Sequence, residues 1–471
     1  MGVNNLNQSR SSIGLFTLTL LTVSSVVALR NLPLMAMQGY SAIFFYTFAA
    51  LLFFIPVCLA CAELASGWSE EGGVYIWVKA AFGERAGALA IWFEWVESVV
   101  WLPTVLSFMA ATAAYLINPE LANNRFFLLA VMLSVLWSAT LLNFFGVRNA
   151  RWLSSLGILI GSLIPGVLII LLGWLWTQTG RPTEITFELN SIVPPFEFST
   201  LVFFTGVLLS FAGMEVSSFH INDAKKPEKT YPKAIFIAAG LILSLYMLGS
   251  LAIAKVVPSA SLSLTSGVMQ AFHFFFNSLG VPWATPLLAC FLLLGALALI
   301  NAWIMGPTRG LYTSATKGNL PKITLKKNSY DCPFVILSMQ CTSSTLLTLV
   351  FILMPNVNSS YWLLTVLSSQ LVLMMYMLIF SAVIRLRYTR PNTPRSFKIP
   401  GGNWGVWLVA GIGGATCLFA FMLGLVPPKA FNFGSTLNYI GFVILGILTT
   451  SLPPFIWHGH HYLKNRSKFT N

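Results

Sequence analysis

The sequence predicts an all-α membrane protein with twelve transmembrane helices, on three observations. Of 471 residues, 56% are hydrophobic and only 9% charged, against about 25% charged in an average soluble domain. The apolar residues run in long blocks, and Leu15–Leu29 and Tyr40–Ala62 carry no charge. About 20 apolar residues cross the hydrocarbon core as a helix. Alternating segments of roughly 10 residues, the mark of a membrane β-barrel, are absent.

Twelve candidate spans follow, near 13–36, 40–63, 87–117, 126–146, 153–177, 199–221, 232–257, 284–312, 333–354, 360–386, 404–426 and 436–457. The first block is too long for a signal peptide and no small-residue cleavage site follows it, so it reads as a span. The longest polar connection, Gln178–Phe198, is too short to fold alone. With the N-terminus in the cytoplasm, 22 of the 27 Lys and Arg fall on the cytoplasmic side. Only Arg125, Arg181, Lys255 and Lys429 fall outside, and Arg30 lies within span 1. The positive-inside rule therefore puts both termini in the cytoplasm of a multi-pass inner-membrane protein. The net charge of +13 is accounted for by this sorting and calls for no nucleic-acid partner.

Two spans look interrupted. In span 1, Val26-Val27-Ala28-Leu29-Arg30-Asn31-Leu32-Pro33 places Arg, Asn and Pro at or past mid-membrane; in span 6, Ser210-Phe211-Ala212-Gly213-Met214-Glu215 combines small residues with an acid. The interruptions are five spans apart, as in an inverted 5+5 repeat of spans 1–5 and 6–10 with two helices added. In such folds the freed backbone N–H groups bind a substrate carboxylate near the midplane. Taken singly, each break also reads as a proline kink or a packing glycine. The expected organisation is a tail at 1–12, a ten-helix core at 13–386, two additional helices at 387–457 and a short tail at 458–471.

Charges inside spans cost about 2.5–3.5 kcal/mol each on insertion scales. They are Arg30 in span 1, Glu94 and Glu97 on one face of span 3, and Glu215 in span 6. These four are candidates for ion pairing or proton coupling, and structural ion pairs are the alternative reading. Glu63, ending span 2, is expected to face water. Trp303 and Asn301 in span 8 read equally as substrate-facing or packing residues. Of six cysteines, Cys58 and Cys61 form a C-x-x-C inside an apolar helix, with no His or second pair near. No metal site and no cofactor is expected.

The chain resembles the bacterial glutamate/GABA antiporters of the amino acid–polyamine–organocation superfamily. The resemblance runs from about Gly14 to His458. It rests on Gly67-Trp68-Ser69-Glu70-Glu71-Gly72-Gly73-Val74, Gly213-Met214-Glu215-Val216, Gly306-Pro307-Thr308-Arg309-Gly310 and Phe397-Lys398-Ile399-Pro400-Gly401-Gly402. It implies a LeuT-like 5+5 inverted repeat with broken helices 1 and 6, and exchange of glutamate for its decarboxylation product. It places Ala28, Leu29, Arg30, Phe211, Ala212, Gly213, Glu215 and Trp303 at the substrate site, with Asn301 beside Trp303. Glu70 and Glu71 become cytoplasmic gate or loop elements.

The chain departs from that pattern at Arg30, where the family has an aromatic residue, and at Asn31, where it has an acid. Leu299 stands where a glutamate is expected, and Glu94 and Glu97 are additional. The family's C-terminal plug has no counterpart beyond Asn471.

The expected function is amino-acid antiport, with small amino acids and the lipid bilayer as partners and a homo-oligomer left open. A proton-coupled symporter on the same fold is the nearest rival. A membrane-embedded enzyme is disfavoured, because no Ser/His/Asp or His-cluster constellation lies within the spans.

Overall fold

The computed structural model describes residues 14–68, 70, 72–145, 157, 159–215 and 227–467, with all their side chains except those at 227, 228, 302 and 457–467. The tail at 1–12, Glu71 and the segment 216–226 that would complete span 6 lie outside this set.

The described chain is all helical, as lipid demands of any span that is not a closed barrel. Ten helices are long and apolar enough to cross a membrane. They are Ser41–Gly67, Glu84–Ala114, Arg125–Phe144, Leu159–Gln178, Lys229–Val256, Ala284–Thr316, Phe334–Leu353, Val357–Thr389, Gly402–Leu423 and Thr436–Ile456. Leu15–Val26 and Leu29–Ala36 form an eleventh crossing bent by 47°, and Phe198–Ser210 is a shorter apolar helix at the position of span 6. The order matches the sequence expectation. The last helix continues to Ser467, past its expected end near 457.

Two short helices were not anticipated. Val74–Phe82 lies between spans 2 and 3, and Gly267–Ser278 between spans 7 and 8. These are equivalent places in the two halves of a 5+5 repeat.

Spans 3 and 10 form the centre. The apolar window of span 3 is 94% buried and that of span 10 is 83% buried, against 17% in span 12. Small residues let the central helices approach closely. A Cβ on Gly161 in span 5 would lie 2.3 Å from the Cα of Gly295 in span 8, so these backbones touch directly.

The four basic residues assigned to the sparsely charged end anchor its connections. Arg125 reaches the carbonyl of Pro355, Arg181 that of Ser278 at 2.9 Å, and Lys255 the hydroxyl of Thr177 at 3.2 Å. Lys429 pairs with Glu197 at 2.6 Å.

At the basic end the structure corrects one reading. Glu63 does not face water: it is 1% exposed. Its carboxylate pairs with Arg387 and, at 2.5 Å, with Arg395, and it accepts the N–H of Ile399 at 2.8 Å. Ser66 adds a hydrogen bond to the carbonyl of Phe397 at 2.9 Å. This clasp joins the end of span 2 to the end of span 10 and the segment after it. Its partners lie more than 300 residues away in sequence, so no local pattern announces them.

Removing one member of a buried ion cluster leaves charge uncompensated, at about 3–5 kcal/mol. Glu63→Gln is therefore expected to lower the melting temperature of the purified protein clearly. Glu197→Gln, at an exposed pair, is expected to leave it nearly unchanged.

Candidate functional site

The site grows from the two helix breaks. After Val26 the backbone turns extended at Val27 (φ −68°, ψ 117°) and Ala28 (φ −135°, ψ 113°), then makes a single turn over Leu29–Asn31. Pro33 follows near the start of the next helix, where its missing N–H is harmless. In span 6 the helix stops at Ser210, and Gly213 takes φ +109° before the chain turns helical again at Met214. Only glycine adopts that conformation without strain. Space enforces the same choice, because a Cβ on Gly213 would lie 2.6 Å from the carbonyl oxygen of Ser25. The two breaks thus abut.

Backbone groups freed at this depth need partners. Two tyrosines supply them. The Tyr246 hydroxyl, from span 7, accepts the Ala28 N–H at 3.0 Å and faces the carbonyls of Val26 at 2.8 Å and Ser210 at 3.2 Å. The Tyr376 hydroxyl, from span 10, accepts the Gly213 N–H at 3.1 Å and donates to Glu215 at 2.5 Å. The expectation of free amides is therefore corrected at Ala28 and Gly213, whose N–H groups are already taken. Neither tyrosine was singled out in the sequence, because a tyrosine in an apolar span gives only a weak signal.

Between the breaks lies a cavity of about 30 Å³, room for roughly two water molecules. Arg30, Glu94, Glu97 and Glu215 all line it, with Trp101 and Trp303. The four ionisable side chains are 4%, 9%, 5% and 1% exposed. Arg30 bonds the hydroxyls of Thr104 and Tyr361, each at 3.1 Å, and its guanidinium lies 4.9 Å from the centre of the Trp101 ring. Glu97 accepts from Ser368 at 2.7 Å. Among the described residues no Lys or Arg lies within 4.0 Å of Glu94 or Glu97. Arg30 is thus held by neutral hydroxyls and a ring rather than by a glutamate.

Glu97, Trp101 and Thr104 share one face of span 3. Thr104 is seven residues from Glu97, about 10 Å along the axis. The site therefore has a cationic pole at Arg30 and an acidic pole at Glu94 and Glu97. Trp101 stands between, its ring centre 5.2 Å from that of Trp303.

The structure brings Ala28, Arg30, Ala212, Glu94, Glu97, Glu215 and Trp303 to one cavity, with Leu299 in its wall. Gly213 lies beside it, its Cβ position 3.8 Å from Trp303. Three expected residues point elsewhere. Leu29 packs toward Gly166 and Gly161. Phe211 stacks on Phe54 with ring centres 4.7 Å apart. Asn301 accepts from Asn143 at 2.7 Å, joining spans 4 and 8. Glu70 is exposed at the start of the turn before Val74, and Glu71 is outside the described residues.

A model of the amino acid permease family matches residues 13–448. The chain belongs to the amino acid permease family. It is 42% identical to an uncharacterised transporter of Legionella pneumophila over 97% of this chain and 98% of that protein. It is 30% identical to a glutamate/gamma-aminobutyrate antiporter of Lactococcus lactis, over 96% and 91% of the two chains. A probable agmatine/putrescine antiporter of the same species is 26% identical, over 84% of each chain. This permease is a multi-pass transporter, not an enzyme.

Two substitutions, with a third as control, test the packing of the breaks. Tyr246→Phe leaves the Ala28 N–H unpaired, at about 1–3 kcal/mol, and is expected to lower the melting temperature. Tyr388→Phe removes an exposed hydroxyl bonded to Trp407 and is expected to change it little. Gly213→Ala is expected to insert in the membrane but to lose transport, as measured by surface labelling together with uptake.

Proposed function

We propose that this permease exchanges small amino acids of the glutamate/GABA type across a bacterial inner membrane by alternating access, with both termini cytoplasmic. The observation that carries the proposal is the two-poled cavity between the breaks, with Arg30 at one end and the carboxylates of Glu94 and Glu97 at the other. A zwitterion placed there would set its carboxylate toward Arg30 and the first amides of the 29–31 turn, and its ammonium toward the acids. Ala28, Ala212, Gly213, Glu215 and Trp303 complete the proposed substrate site. Leu29, Phe211 and Asn301 support it from behind.

The relative that is 30% identical and named a glutamate/gamma-aminobutyrate antiporter supports both the substrate type and the mode. The transport core would be 13–386 and the two further helices 387–457, with tails at 1–12 and 458–471. Glu70 would belong to the loop at the cytoplasmic mouth, together with Glu71.

Alternating access fits the burial of the cavity's ionisable side chains. At 1–9% exposed they are closed to an arriving solute, so the helices around them must part for substrate to enter. One observation favours proton-coupled symport as a second reading: among the described residues Glu94 and Glu97 have no Lys or Arg within 4.0 Å, and a carboxyl in that position can carry a proton.

The test is uptake of radiolabelled glutamate into proteoliposomes preloaded with GABA, glutamate or buffer. Exchange predicts uptake only with an amino acid inside. Uptake into buffer-loaded vesicles that an uncoupler abolishes would establish symport instead. Glu215→Gln is expected to reduce exchange by about tenfold or more, the weight of one charge-assisted hydrogen bond, with insertion intact. Full activity in that variant would remove Glu215 from the site.

A further inference from the structure

A second cavity lies away from the substrate site, on the outer flank of the bundle. It measures about 540 Å³ and sits between spans 3, 8, 9 and 12 and the connection after span 8. Trp92, Leu311, Leu320, Ile336, Met339 and Ile456 supply most of its wall, which is almost wholly apolar. Its rim is exposed: Ile323 is 55%, Met339 40% and Ile456 67% accessible. An apolar cavity of this kind does not hold ordered water, and on a membrane-spanning bundle the phase that meets it is lipid.

Depth and charge specify which part of the lipid. Leu311 is five residues before the end of span 8 and Met339 five after the start of span 9, each about 8 Å from its helix end. Trp92 is eight residues into span 3, about 12 Å. The cavity therefore occupies the acyl-chain layer just beneath the headgroups, at the basic end of the bundle. The connection that roofs it carries Lys317, Lys322 and Lys326, all exposed. Lys322 stands between the lining residues Pro321 and Ile323. Among the described residues none of these three lysines has an ion-pair partner. The 420 Å³ apolar cavity lined by Phe44, Phe196 and Phe419 offers the contrast. Phe196 adjoins the acid Glu197, whose carboxylate is already paired with Lys429.

We propose that the cavity between spans 3, 8, 9 and 12 is a binding site for an anionic phospholipid, with an acyl chain in the cavity and the phosphate at Lys317, Lys322 and Lys326. A lipid here touches the backs of the helices that form the substrate site. Trp92 is two residues from Glu94 on span 3, and Leu311 is eight residues from Trp303 on span 8. Its occupancy would brace the two helices whose inner faces hold the acidic pole and the tryptophan.

The test is native mass spectrometry of the full-length protein in mild detergent, titrated with phosphatidylglycerol or with phosphatidylcholine of the same acyl chains. The proposal predicts retention of phosphatidylglycerol over phosphatidylcholine by about fivefold or more, the weight of one lysine near an anionic surface. Met339→Trp, which fills the cavity from its exposed rim, should reduce retention of phosphatidylglycerol. Ile323→Trp should do the same should the first variant fold poorly. The triple change Lys317→Gln, Lys322→Gln and Lys326→Gln should abolish the headgroup preference. Phe44→Trp, in the other apolar cavity, should change neither. Equal retention of the two lipids, or a preference that survives both the cavity-filling and the lysine variants, would overturn the proposal.

Discussion

The structure turns on backbone polar groups released at mid-membrane, where water is not on hand to satisfy them. Two interrupted helices release such groups, and Tyr246 and Tyr376 take them up. Each phenol comes from a different intact helix, so each break is tied to a rigid neighbour. Ser250 adds a bond to the carbonyl of Leu32 at 3.0 Å, and Tyr46 holds Ser250 at 3.1 Å. These bonds let the chain keep irregular backbone at the centre of the bundle, and that irregular backbone leaves space for a polar cavity.

The cavity then inherits an unusual charge arrangement. A lone guanidinium in a low-dielectric site would ordinarily pair with a carboxylate. Here Arg30 is fixed by Thr104, Tyr361 and the Trp101 face, so its charge is not neutralised by a direct pair. Glu97 is likewise held by a serine hydroxyl. Neutral anchors position both side chains without a direct pair between them. That leaves each pole available to an incoming group, as the proposed recognition of a zwitterion requires. The clasp at Glu63 is the contrary case: there two arginines meet one carboxylate and an amide, and the result is a joint between helices.

The fold was readable because lipid allows few alternatives. Apolar block length and the paired breaks led to the order of the described spans: ten full-length helices, the bent pair of span 1 and the shorter helix at span 6. Arg30, Glu94, Glu97 and Glu215 stood out because charge in a span is costly and therefore rare. What escaped were features without local cost. Tyr246 and Tyr376 are ordinary residues in apolar helices until their long-range partners are known. Trp101 is legible only as the residue one turn beyond Glu97, facing the same way. Leu29 and Phe211 lie beside the breaks in sequence but turn to other faces, because direction at a broken helix does not follow helical periodicity; Asn301 is two residues from Trp303 on span 8 and so lies on another face of that helix. Glu63 looked solvated because its two arginines come from the far end of the chain.

An amino acid bound between the two breaks would bridge the poles. A structure of the protein determined with GABA or glutamate tests this. Binding there predicts density between Ala28–Arg30 and Ala212–Glu215, with the carboxylate at Arg30, the ammonium toward Glu94 or Glu97, and an expanded cavity against Trp303. Density at another site, with Arg30 still held only by Thr104 and Tyr361 and the cavity unchanged, would contradict it.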